Sequence, residues 1–304
     1  MPLTERVRGW RERGADEDVD GRRIHVFRRD GRDPVLLLLH GFPSSSYDWR
    51  LLLEHERDHA VIAFDCLGFG LSEMPRRHDY TLVEQADIAE ALLARFAPGR
   101  PVFAVGHDMG TSVATELFAR DIDSSLGADL RGALLFNGSM IQGAASPTPA
   151  QRLLRGPLGP VAARLSSERF FRHQFGSVFS AAHPLTDAEA EDQWSLICAG
   201  GGRTLGHRLI SYMDERERRA DRWLGAIRDW NPRHRGSSAS PAGRPPLRLA
   251  WGMRDPVATT AVLDAVLELR PDAPLTRLEE VGHYPQIEDP DALAGALRGA
   301  LEAV

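Results

Sequence analysis

Cysteine is nearly missing from this chain: there are two, Cys66 and Cys198, with no paired spacing. That excludes a disulfide framework and a cysteine-ligated zinc site, and makes a reducing compartment the default. Long apolar runs are missing too. The longest Leu/Val stretch, VLLLL at 35–39, is far too short to span a bilayer. The N-terminal MPLTERVRGWRERG is basic but lacks the apolar segment of a secretion signal. A soluble, cytoplasmic chain with no membrane anchor is expected. A net charge of −6 with a pI near 6.0 weighs against nucleic acid or an anionic membrane as the main partner. No GK[ST] follows the glycines at 200–202, so these form no phosphate loop, and a cap hinge is the simpler reading.

What is present suits one large domain, or a domain with a sizeable insertion, in 304 residues of ordinary globular composition. PVLLLLHGF (34–42), AVIAFDCLGFG (60–70), PVFAVGHDMG (101–110), RGALLFNGS (131–139), LRLAWGMRD (247–255) and LTRLEEVGH (275–283) are short apolar runs. Several end in glycine, aspartate or histidine. Runs without polar alternation fit strands buried on both faces of a mostly parallel sheet. Their polar C-terminal ends are where such sheets bind ligands.

Helical patterns separate many of these runs. Thr81 with Glu84 forms a capping-box pattern before Ile88, Leu92 and Phe96. Val113 and Leu117 recur after Gly110, and Leu293, Leu297 and Leu301 form the last stripe. GRRIHVFRRDG reads as an antiparallel edge strand closing on a DG turn. LGFG (67–70) reads as a tight turn. Residues 141–235 break the rhythm, with helical patterns but no buried strand, and RHRGSSASPAGRPP (233–246) reads as a linker. The parse is an α/β core over 1–140 and 236–304, interrupted by a helical cap over 141–235. The run DERERRADR (214–222) reads as a solvated helix face with opposite charges at helical spacing.

The pentapeptide G-x-D-x-G sets Gly106 and Gly110 around Asp108. A nucleophile on a sharp strand-to-helix turn needs such small neighbours, and a structural helix cap would use the same aspartate. Two distant segments favour the first reading. Asp255 closes the strand in LAWGMRDP, and His283 follows in EEVGHYPQIEDP. The chain order nucleophile, acid, histidine is that of α/β-hydrolases, with each residue just past a predicted strand. HGFP supplies a turn whose Phe42 N–H would join that of Met109 to hold an oxyanion. His40 and His107 flank these turns as structural hydrogen-bonders.

A carboxylate nucleophile suits one class of chemistry. Attack on a carbonyl would leave a labile anhydride, whereas attack on an sp³ carbon with a leaving group leaves an ester. His283, oriented by Asp255, then activates water against that ester. Aspartate therefore points to epoxide opening or carbon–halogen cleavage.

HGFP, GHDMG, WGMRDP and GHYPQIEDP resemble the epoxide hydrolase and haloalkane dehalogenase branch of the α/β-hydrolase fold. HGFPSSSYDW, VIAFDCLGFGLS, HDMGTSVATELFAR, LFNGSM and HYPQIEDP are further similar to the mesoderm-specific transcript homologue group. The resemblance implies a mostly parallel sheet flanked by helices, with an inserted helical cap. It also implies Asp108 as nucleophile, Asp255 as acid, His283 as base, and the amides of Phe42 and Met109 as oxyanion donors. No cofactor or metal is implied; the partners are a small apolar substrate and water. The chain departs from dehalogenases in placing Met109, not tryptophan, after the nucleophile; Trp194 or Trp223 in the cap are the candidates to contact a leaving group. Epoxide hydrolases use two cap tyrosines as proton donors, and only Tyr212 falls in this cap. Epoxide hydrolysis is the first expectation, dehalogenation the second, and a hydrolase-fold protein that binds an apolar ligand or partner without turnover the third.

Overall fold

The computed structural model describes residues 1–232 and 245–302. Eight strands form one sheet: β1 (Gly14–Val19), β2 (Arg22–Arg29), β3 (Arg32–Leu39), β4 (His59–Phe64), β5 (Pro101–His107), β6 (Asp129–Phe136), β7 (Leu247–Gly252) and β8 (Leu275–Leu278). Their order is β1-β2-β4-β3-β5-β6-β7-β8. The first two strands are antiparallel to their neighbours, and every pairing from β4 to β8 is parallel. Strands β3 and β5 occupy the centre, where Leu36, Leu37, Leu38, Val102, Phe103 and Val105 are wholly buried. Polar residues can follow such strands only at their ends, so the loops after β3, β5, β6, β7 and β8 collect the chemistry on one edge.

The helices follow in chain order. Those of the first part are α1 (Glu5–Arg13), α2 (Leu52–His55), α3 (Leu82–Phe96) and α4 (Met109–Ile122). Between β6 and β7 come α5 (Pro149–Arg155), α6 (Gly159–Leu165), α7 (Glu168–Gly176), α8 (Asp187–Cys198), α9 (Gly206–Leu209), α10 (Tyr212–Arg218) and α11 (Ala220–Asp229). The core closes with α12 (Thr260–Leu269), α13 (Pro285–Glu288) and α14 (Pro290–Leu301). Among the described residues, the stretch between β6 and β7 holds helices and no strand. Of RHRGSSASPAGRPP, residues 233–244 lie outside the described residues. None of the described helices is long and apolar enough to cross a membrane.

Two local readings change. GRRIHVFRRDG contains β2, but β2 is not the edge: β1 pairs along it from Gly14↔Phe27 to Val19↔Arg22. The strand GADEDV is acidic and mostly exposed, as an outermost strand can be, so hydrophobic pattern gave no sign of it. The hairpin turn is Asp20–Gly21, both at positive φ (51° and 77°). The later Asp30–Gly31 leads into β3, which lies on the far side of β4. In α3, Thr81 caps the Glu84 N–H at 3.1 Å, whereas the Glu84 carboxylate turns to His78 at 2.7 Å rather than closing the box.

Polar contacts tie α8 to the N-terminal half of the chain. Asp192 on α8 accepts from Thr4 Oγ1 at 2.5 Å, Arg6 Nε at 2.7 Å and Tyr47 Oη at 2.7 Å. Next to it, Gln193 Nε2 donates to Asp48 Oδ1 at 2.7 Å, and Ser44 Oγ donates to Asp48 Oδ2 at 2.5 Å. Burial drives the Asp48 carboxyl up to about 7 despite these donors.

Candidate active site

Strand β5 ends at His107 and α4 begins at Met109, so the chain reverses within one residue. Asp108 takes up that bend at φ 43°, ψ −110°, a region side chains disfavour. The bend closes only because its neighbours lack side chains. A Cβ on Gly110 would sit 2.0 Å from the Leu39 carbonyl oxygen, and one on Gly41 would sit 2.7 Å from Asp108 Cβ. The Asp108 carbonyl oxygen accepts from Thr111 Oγ1 at 2.6 Å, Thr111 N–H at 3.2 Å and Arg216 Nη2 at 2.9 Å. Three donors on one oxygen hold the strained peptide in place. Its side chain is free of cap duty and turns the other way, with Oδ2 accepting the Phe42 N–H at 3.0 Å.

Two further strands, β7 and β8, run parallel to β5 and bring Asp255 and His283 to the same edge of the sheet. Asp255 Oδ2 accepts from His283 Nδ1 at 2.7 Å and from Asn137 Nδ2 at 2.8 Å; its Oδ1 accepts the Val257 and Ala258 amides at 2.7 and 3.1 Å. Four donors fix that carboxylate, which in turn fixes the tautomer and plane of His283. The loop carrying His283 is anchored by Glu288, whose carboxylate collects the amides of Gly282, Tyr284 and Ser180 at 2.8, 3.0 and 2.9 Å. Burial by itself would lower the His283 pKa. The Asp255 charge and hydrogen bond, with the charge of Asp108, outweigh it and raise the imidazole to about 9.

The flanking histidines are neutral supports. Burial holds the pKa of His107 well down; its Nε2 donates to the His283 carbonyl at 2.7 Å and its Nδ1 accepts from Gln286 Nε2 at 3.0 Å. His40 donates from Nδ1 to the Gly41 carbonyl at 2.8 Å and accepts the Cys66 N–H on Nε2 at 2.9 Å.

Above this edge lies a cavity of about 150 Å³. Phe42, His283 and Tyr284 form its floor. Leu154, Phe171, Phe175 and Trp194 come from the helices between β6 and β7. Trp194 thus lies in the wall, stacked on Phe171 at 5.5 Å between ring centres. Trp223 does not: it is absent from the lining, and its indole N–H is spent on Glu116 Oε2 at 2.8 Å. Tyr212 packs beside Phe42, with ring centres 5.7 Å apart, and is buried next to the carboxylate rather than in the cavity wall. Burial and then the Asp108 charge push its hydroxyl pKa upward. Met109 is buried at the first position of α4. The glycines at 200 and 201 take positive φ at the kink between α8 and α9.

Two residues stand at the site that the sequence reading did not single out. One is Asn137, at φ 46° on the end of β6; its side chain bridges Asp255 and the Gly252 N–H. The other corrects the reading of DERERRADR as a solvated face. Arg216 is buried, with Nε donating to Ser112 Oγ at 2.8 Å, Nη2 at 3.8 Å from Asp108 Oδ1, and the guanidinium 4.7 Å from the centre of the Tyr212 ring. Glu215 is buried as well and caps α3 by accepting the Leu82 N–H at 2.5 Å. Alternating charge marks a face that meets charge. It does not say whether the counter-charge is solvent or a buried partner.

Residues 36–296 match the model of the alpha/beta hydrolase family. LipZ of Mycobacterium tuberculosis, which carries the name of a hydrolase, is 49% identical over 290 residues, covering 95% of this chain and 96% of its own. The mesoderm-specific transcript protein of Mus musculus is 32% identical, covering 99% of this chain and 89% of its own. Among solved structures, the haloalkane dehalogenase DatA of Agrobacterium tumefaciens C58 superposes with a TM-score of 0.75 at 18% identity, covering 96% of this chain and 97% of that one. With this sheet order, a bend after β5 and an aspartate–histidine pair on the later strand ends, the chain belongs to the alpha/beta hydrolase family.

Proposed function

We propose that the protein hydrolyses an epoxide on a small apolar molecule through an ester of Asp108. The observation that carries this reading is a buried carboxylate at the bend, hydrogen-bonded to Phe42, which together with His283 lines the apolar cavity. Asp108 Oδ1 attacks a ring carbon, forming a C–O bond as the carbon–epoxide oxygen bond breaks. Tyr212 protonates the opening oxygen, and the proton is made good from the imidazolium through water in the cavity. Loss of the Asp108 charge on ester formation removes one of the charges that hold the His283 proton, which favours the neutral imidazole at the moment a base is required.

In the second step His283 takes a proton from water, whose oxygen adds to Cγ of Asp108. The resulting oxyanion is the former Oδ2, already on the Phe42 amide, with Met109 N–H as its second donor. Collapse breaks the ester bond, releases the diol and returns Asp108 to its ionised form. The apolar wall excludes competing water until the ester exists.

A single turnover with enzyme in excess, in water labelled with heavy oxygen, tests this route. The label should enter the Asp108 carboxylate and be missing from the first diol released. Label in that diol, with none in Asp108, would mean direct attack by water.

A further inference from the structure

We infer that the outer face of α5–α7 is a docking surface for an anionic lipid bilayer, which feeds apolar substrate into the cavity beneath it. Among the described residues, every large apolar side chain left exposed, Met1 apart, lies on this one stretch of the cap. They are Leu153 (43% exposed), Leu158 (63%), Val161 (51%), Leu165 (76%) and Phe170 (45%). Five large exposed apolar side chains gathered within 18 residues, on neighbouring short helices, argue for an interaction site rather than ordinary surface.

Charge selects the partner. The chain as a whole is acidic, yet residues 149–175 contain five arginines and a single acidic residue, Glu168. Arg155 is neutralised by Asp214 and Glu217, and Arg172 by Glu168 and Asp187. Arg164 and Arg169 are exposed and, among the described residues, make no ion pair. They stand one residue from Leu165 and from Phe170. Arginine interleaved with exposed leucine, valine and phenylalanine on short helices is the pattern of a surface that lies in the headgroup layer of anionic lipid. A bilayer supplies anionic headgroups and an apolar layer together, whereas a protein partner would need acidic and apolar groups set at this same spacing.

Position supplies the remaining argument. Phe170 belongs both to the exposed patch and to the cavity wall, and Leu154, Ala163 and Ser166 of the same stretch line the cavity from inside. The patch is therefore the outer surface of the cavity's own roof. A molecule dissolved in the acyl layer would reach His283 from there without crossing bulk water. The docking itself is independent of the ester chemistry proposed for Asp108.

The test is flotation of the full chain with vesicles of phosphatidylcholine alone and of phosphatidylcholine mixed equally with phosphatidylglycerol. The wild-type protein should float with the anionic vesicles and stay behind with the neutral ones. Arg164→Glu/Arg169→Glu should lower the anionic partition coefficient at least about 25-fold, from about fivefold per charge lost at the surface. Val161→Asp/Leu165→Asp should lower it about tenfold or more. All four positions are exposed, and circular dichroism of each variant controls for folding. Failure of the wild type to float with anionic vesicles would overturn the inference, as would variants that float like the wild type. So would a concentration-dependent dimer that Leu165→Asp dissolves in the absence of flotation, since it would assign the patch to a second copy of the chain.

Discussion

Raising the pH from 6 to 10 should weaken the fold through one buried side chain, His283. Its imidazole has a pKa of about 9 in the folded protein, against 6.5 in an unfolded chain. That difference corresponds to about 3 kcal/mol of folding free energy. The folded state binds this proton more tightly, so the contribution is complete below about 6.5. It declines as pH rises and is gone above about 9. Asp48 acts in the same direction in a lower window, because burial raises its folded carboxyl from 3.8 to about 7. The histidine must therefore be isolated by difference. Urea unfolding of the wild type and of His283→Gln, run in parallel across this range, gives that difference at each pH. Asp255 keeps the donors Asn137, Val257 and Ala258 in the variant, so the loop retains its anchor. The wild type should lead by about 3 kcal/mol more at pH 6 than at pH 10. A difference that stays flat, or that grows toward alkaline pH, would refute the picture of a proton held between two carboxylates.

Arg216→Met removes a cation 3.8 Å from Asp108 Oδ1 together with its hydrogen bonds to the Asp108 carbonyl and Ser112. Unfolding free energy should fall by about 3–5 kcal/mol, and Arg216→Lys should recover part of the loss in the same urea titration. Asp48→Asn can keep both hydrogen bonds while removing the buried charge; it should be about 2–4 kcal/mol more stable than the wild type at pH 8 and gain nothing at pH 4, as thermal melts at the two pH values would show. Gly110→Ala places a methyl group 2.0 Å from a backbone oxygen that cannot move away without breaking β3. It should yield little soluble protein, read as soluble yield against the wild type.

Much of this arrangement was legible because a central parallel strand has so few alternatives. VLLLL and PVFAV are apolar without alternation, which only burial on both faces explains, and the polar residue ending each run then has to sit at the sheet edge. Strand β1 was illegible for the opposite reason: an edge strand in water needs no apolar pattern, and its pairing comes from the Asp20–Gly21 turn. Arg216 escaped because its helix carries charge on several faces, and only packing reveals which one is buried. Net charge likewise said nothing of α5–α7, where exposed leucines and arginines stand together, since a sum over the chain does not say where the arginines lie.

Incubation of His283→Gln with styrene oxide, followed by intact-mass and peptide analysis, most directly tests the claim that Asp108 bonds to carbon. Tyr212 and the Phe42 amide remain in this variant, and the base for the second step is gone. The account predicts an adduct equal to the whole mass of the epoxide, located on Asp108 and missing from Asp108→Asn/His283→Gln. An unmodified Asp108 in a variant that nevertheless turns styrene oxide into diol would contradict it.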